Sequence, residues 1–104
     1  MMIGQKFSHA VIKKAKNGDF RVQDDYGGTV ESYLPSPQLI LFANNIIKNL
    51  DFKPTYARID IVLDNTNKFA LSELELIEPE MWFRFNPSSS KKMALAIKDR
   101  FFNN

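Results

Sequence analysis

The chain has 104 residues, enough for one small domain, and 44% of them are hydrophobic, including nine Phe, so a packed core is expected. A net charge of +2 without a long basic run argues against nucleic acid as a partner. No cysteine and a single histidine, His9, exclude disulfides, thiolate metal sites and His-rich zinc sites, and no apolar run reaches membrane-spanning length.

In chain order, Gly4-Gln5 reads as a turn and "KFSHAVIKKAK" (6–16) as a strand. "NGD" (17–19) is a hairpin turn signal, because Asn and Gly tolerate positive φ. "FRVQ" then returns as a second strand, closed by Gly27-Gly28. Ser36-Pro37 supplies an N-cap and a first-turn proline, and Leu39, Ile40, Phe42, Ala43, Ile46, Ile47 and Leu50 follow at helical spacing. The spacing predicts a helix over 37–50. "TYARIDIVL" alternates, with Ala57, Ile59, Ile61 and Leu63 on one face and Tyr56, Arg58, Asp60 and Val62 on the other. "DNTN" is a turn, and "KFALSELEL" is the return strand. Its expected faces are Ala70, Leu74 and Leu76 on one side and Phe69, Leu71, Glu73 and Glu75 on the other. Asn86-Pro87 starts a last helix to about Phe101, with Met93, Ala94, Ile97 and Phe101 inward.

The expected architecture is α+β, in the order β-β-α-β-β-α, with two helices packed on a face of an antiparallel sheet. One domain covers 1–104.

Three acidic residues decide where function is sought. Setting the apolar faces of the two strands around the 64–67 turn together puts Arg58, Asp60, Glu73 and Glu75 on one face, within cross-strand reach. Carboxylates converging there repel one another unless a cation neutralises them, and hard oxygen ligands suit Mg2+ or Mn2+. On periodicity alone the plainer reading is a solvent-exposed polar face, common in antiparallel hairpins. Phe69 and Leu71 on that face argue against it. Glu78, before Pro79, reads as a loop carboxylate. His9 reads as a satisfied structural histidine, Trp82 and Phe83 as core, and Asp24-Asp25 as turn carboxylates.

"GDFRVQDDYGG", "YARIDIV" and "LSELELIEP", in this order, resemble segments of the C-terminal half of the ATP-grasp superfamily, closest to its glutathione-synthetase-like bacterial members. The resemblance implies an ATP- and Mg2+-dependent carboxylate–amine ligase that works through an acyl phosphate. It implies Asp60, Glu73 and Glu75 as ligands of Mg2+ (or Mn2+) bridging the nucleotide phosphates. Arg21 would lie near the γ-phosphate and the acyl phosphate, and Arg58 would steady the phosphates or the tetrahedral intermediate. Lys13 is a further candidate for phosphate contact, and Gly27 and Gly28 would let a loop approach the substrate. Where many relatives have asparagine, this chain has Glu75. Phosphoryl transfer needs positioning and charge neutralisation, so the absence of a Cys or His nucleophile is no objection.

Members of that family are much longer, with a substrate domain and an adenine-holding lobe that have no counterpart here. The chain is therefore expected to be a cytoplasmic fragment that does not catalyse the ligation alone and that self-associates through a bared apolar surface. Its partners would be a carboxylate and an amine substrate, with neither nucleic acid nor membrane. The alternative is a non-catalytic binding or dimerisation module that keeps the fold.

Overall fold

Alternation of apolar and polar residues over 56–61 and again over 73–76 favours two strands here that share one apolar face. In the computed structural model, which describes residues 1–14 and 28–102, they form the two longest strands of an α+β fold. The strands are β1 (Met2–Ile3), β2 (Lys6–Phe7), β3 (Ala10–Lys14), β4 (Thr29–Tyr33), β5 (Tyr56–Leu63) and β6 (Phe69–Glu75). The helices are α1 (Pro37–Lys48) and α2 (Ser89–Phe102), and one 3-10 turn covers Phe83–Phe85. β2, β1, β5 and β6 form a four-stranded antiparallel sheet in that order, and β3 and β4 form a separate two-stranded antiparallel arm.

Side chains alternate across β1, and that alternation divides the core. Met2 joins Ala43 and Ile47 of α1 and Ala57 of β5, with Ile59, Ile61, Leu74 and Leu76 packed around them. Met1 and Ile3 point the other way, toward Met81 and Trp82, where Val11 and Val30 of the arm and Met93 and Ala96 of α2 close over them. The two helices therefore cover opposite faces of the sheet rather than one. Sequence spacing does not assign a helix to a face, and this assignment depends on which residues of β1 each helix meets. α1 begins as its sequence predicts, with the Ser36 hydroxyl accepting the Leu39 N–H at 3.2 Å and Pro37 in the first turn.

The expected strand over 6–16 is broken. β2 pairs with β1, β3 pairs with β4, and Ser8-His9 lie between them. The break has a local cause: the His9 ring is buried and bonded to the Met81 carbonyl, while the Ser8 N–H donates to the Met1 carbonyl at 2.9 Å. The expected turn over 17–19 and the expected "FRVQ" strand lie outside the described residues. The described partner of β3 is β4, with the sequence TVESY.

β6 carries a bulge. Arg58 pairs with Glu75 and Asp60 with Glu73, but the next pair is Ile61 with Leu71, so Ser72 is the extra residue. Beyond it every side chain of β6 changes face. Leu71 and Phe69 pair with Ile61 and Leu63 and so belong to the α1 face, where the Phe69 ring lies 5.8 Å from that of Phe42. The expectation that Phe69 and Leu71 share the face of Glu73 and Glu75 is overturned. α2 also differs from its predicted form: it starts at Ser89, and Met93 and Ala96 turn inward while Ala94, Ile97 and Phe101 are exposed.

The β5–β6 turn is closed by Asp64. Its carboxylate accepts from the Thr66 N–H and hydroxyl, each at 2.7 Å, and from the Lys68 N–H at 3.0 Å. The hydroxyl bond from Thr66, followed by the backbone bonds from Lys68 and Thr66, holds the Asp64 pKa below the usual carboxylate value.

The β1–β2 turn requires positive φ at both central residues, Gly4 (φ 60) and Gln5 (φ 63). A Cβ at position 4 would meet Ala96 Cβ at 3.7 Å, an ordinary contact, so the cost of a side chain there is conformational. Gly4→Ala is expected to lose about 1 kcal/mol, and Gln5→Gly to gain a fraction of that. Urea denaturation of both variants measures this, and equal signs for the two would contradict it.

Candidate functional site

Four side chains on the β5–β6 hairpin meet on the face shared with Trp82 and the arm. Arg58 donates from Nε to Asp60 Oδ1 and from Nη2 to Asp60 Oδ2, both at 2.9 Å. Its Nη2 also lies 2.6 Å from Glu75 Oε2, an ion pair in which the N–H is not aligned as a hydrogen bond. Two-residue spacing along β5 places Arg58 and Asp60 side by side, and the register places Glu75 and Glu73 opposite them. The Arg58 side chain retains only 11% of its exposure and that of Asp60 24%. Burial opposes the guanidinium charge, but the Asp60 hydrogen bonds and the fields of Asp60, Glu75 and Glu73 outweigh it and hold the Arg58 pKa above its ordinary value.

One oxygen each from Asp60, Glu73 and Glu75 lies within 4.8 Å of the others. Ligand oxygens on opposite sides of an octahedral Mg2+ are about 4 Å apart, so small side-chain rotations bring this set onto one ion. Three carboxylates against one guanidinium leave two negative charges, which one divalent cation balances. Glu73 is exposed and has no hydrogen-bond or ion-pair partner among the described residues. The donor set therefore fits a hard divalent cation, with Asp60 shared between that role and Arg58.

Beneath Arg58 is Trp82, a member of the core cluster around Met1 and Ile3, as its sequence context suggests. It is 6% exposed, with the Arg58 guanidinium carbon 4.9 Å and Lys13 Nζ 5.5 Å from the ring centroid. Its backbone is left-handed (φ 48, ψ 48), a conformation that costs a bulky residue on the order of 1 kcal/mol or more. His9 holds this segment. Its Nε2 must donate to the Met81 carbonyl (2.6 Å), since a carbonyl only accepts, so Nδ1 accepts from the Ser8 hydroxyl at 2.8 Å. His9 is thus a satisfied structural histidine, as its sequence context suggested.

These groups edge a groove of about 1040 Å3. Lys13, Arg58, Asp60, Glu73, Glu75 and Trp82 line it, together with apolar side chains of α1 such as Leu39 and Ile40. The structure thus brings Lys13, Arg58, Asp60, Glu73 and Glu75 together. Gly28 directly precedes β4, beside the Lys14 end of the arm, and is not among the groove residues. Arg21 and Gly27 lie outside the described residues. No helix among the described residues is long and apolar enough to cross a membrane. No protein-family profile matches the sequence, and no curated protein or solved structure matches it either.

Trp82 could be found in the sequence only as the single tryptophan of the chain. Nothing near it in sequence announces that two cations from distant strands meet its ring.

Removing Arg58 leaves Asp60 and Glu75 half-buried without their counter-charge. Arg58→Met is expected to destabilise the fold by about 3 kcal/mol at neutral pH. Urea denaturation checks this, and a variant as stable as the unsubstituted chain would contradict it.

Two buried bases set a pH dependence. The Met1 ammonium donates to the His9 carbonyl at 2.6 Å, and burial lowers its pKa from 8.0 to about 6, with Asp60 opposing and Arg58 adding to the fall. Burial likewise pushes His9 below its usual 6.5; the Met81 hydrogen bond opposes this, while the Met1 ammonium and Lys92 add to it. A base with a depressed folded pKa leaves the unfolded chain binding more protons, so stability falls as pH falls. The decline is expected between pH 8 and about 6 from the amine, continuing below 6.5 from His9. His9→Gln should flatten only the lower part of the curve. Stability that rises on acidification through this window would contradict the assignment.

Proposed function

We propose that the chain is part of an ATP- and Mg2+-dependent carboxylate–amine ligase of the ATP-grasp type, glutathione-synthetase-like, and that the β5–β6 face is its phosphate-handling site. The observation that supports this most is the convergence of Asp60, Glu73 and Glu75 around Arg58 at the edge of a groove. Charges of this density on a half-buried face are costly unless a cation completes them.

In this reading Asp60, Glu73 and Glu75 hold the cation. A bound divalent cation supplies charge neutralisation for phosphate oxygens. Arg58 keeps Asp60 in place with Nε and Nη2, and its Nη1, unpaired among the described residues, offers two N–H donors to an anionic oxygen. Lys13, on the arm across Trp82, adds a second positive charge for phosphate. The carboxylate substrate would be phosphorylated by ATP, and the amine would then displace phosphate from the acyl phosphate. Arg21, Gly27 and Gly28 keep the roles that the resemblance implies for them.

A second reading, a non-catalytic binding or dimerisation module, draws on one specific observation. Arg58 already satisfies both oxygens of Asp60 and meets Glu75, so two of the three carboxylates already contact a shared counter-charge within the fold.

Calorimetric titration of Mg2+ with a non-hydrolysable ATP analogue separates the readings. Glu73 is exposed and makes no hydrogen bond or ion pair among the described residues, so Glu73→Gln should fold normally. The ligase reading expects Mg2+-dependent binding that weakens at least about tenfold in Glu73→Gln, the loss of one charged ligand. Equal binding by both proteins, or none by either, would support the module.

A further inference from the structure

We propose that Trp82 is a positioning residue: its indole aligns the Arg58 guanidinium and the Lys13 ammonium as one cationic unit beside the carboxylates. This deepens the proposed function and rests on it only for what the cations bind.

Three observations carry the inference. The ring has two cations within cation–π range, Arg58 at 4.9 Å and Lys13 at 5.5 Å, from strands that belong to different sheets. The residue also departs from what packing alone would choose. It is left-handed in backbone, and its buried Nε1 has no hydrogen-bond partner among the described residues. Phe, though smaller, would fill most of that space without an orphaned donor. What indole adds over Phe is the strongest cation-binding face among side chains. Finally, the strained turn is held from both sides: His9 fixes the Met81 carbonyl just before it, and the Phe85 N–H donates to the Trp82 carbonyl at 3.1 Å just after it. A bulky residue kept in an unfavourable conformation by contacts that remote from one another is over-determined.

Because Trp82 touches Arg58 and Lys13 rather than a ligand, its role shows in their order. Arg58 bonded to Asp60 and stacked on indole should give a resolved, slowly exchanging Nε–H resonance. Ring currents should shift the side-chain protons nearest the cationic ends of Arg58 and Lys13 upfield in the unsubstituted chain. In Trp82→Leu the Arg58 Nε–H should exchange about tenfold faster, and Trp82→Phe should restore only part of the protection. Unshifted Lys13 and Arg58 protons in the unsubstituted chain would overturn the proposal without any variant. So would an Arg58 resonance equally protected in Trp82→Leu.

Mg2+–ATP titration of the same proteins separates this from the ligase reading. Binding weakened about tenfold by Leu and partly restored by Phe supports both. No binding by the unsubstituted chain favours the module over the ligase reading, while the Arg58 spectrum still decides the role of Trp82.

Discussion

Arg58 is the constraint on which this face depends. A guanidinium that has lost most of its water must recover its hydrogen bonds and counter-charge from the protein. It recovers them from Asp60 two residues along its own strand, from Glu75 across the ladder and from the face of Trp82. Each partner comes from a different level of structure: local alternation, strand register and a tertiary contact. Slipping the register by one residue would send Glu75 and Glu73 to the α1 face and leave the arginine uncompensated.

The bulge at Ser72 separates two demands on β6. On the Glu73–Glu75 side of it the strand supplies charges to the Arg58 face. On the turn side it must seat Phe69 against Phe42 on the opposite face. A regular strand with this sequence would put Phe69 and Leu71 beside the carboxylates. One extra residue removes apolar side chains from the charged face and adds them to the core. The charged side chains of Arg58, Asp60, Glu73 and Glu75 thus meet at one edge of a groove whose other walls are apolar, Leu39 and Ile40 of α1 among them.

Much of this was legible in the sequence, for local reasons. Ser36-Pro37 and a 3.6-residue apolar period defined α1. Alternation over 56–61 and 73–76, on either side of an Asp64–Asn67 turn, defines the hairpin and places Arg58, Asp60, Glu73 and Glu75 on one face. The features that escaped depend on distant contacts. Ser8-His9 breaks its strand because of a hydrogen bond to Met81, 72 residues away. Ser72 has no composition that marks a bulge. The two helices were placed on one face because amphipathicity says which side of a helix is buried, not against what. Trp82 reads as core and is core, but its sequence does not announce that its ring also meets two cations.

The central claim is that these carboxylates, with Arg58 among them, form a divalent-cation site. It is tested most directly by locating the ion. Crystals of the chain grown with Mn2+ and a non-hydrolysable ATP analogue should show an anomalous-scattering peak coordinated by oxygens of Asp60, Glu73 and Glu75, with analogue phosphate oxygens completing the shell. Arg58 should remain on Asp60. An analogue bound elsewhere, or the carboxylates still closed on Arg58 with no peak beside Glu73 at saturating Mn2+, would contradict the account.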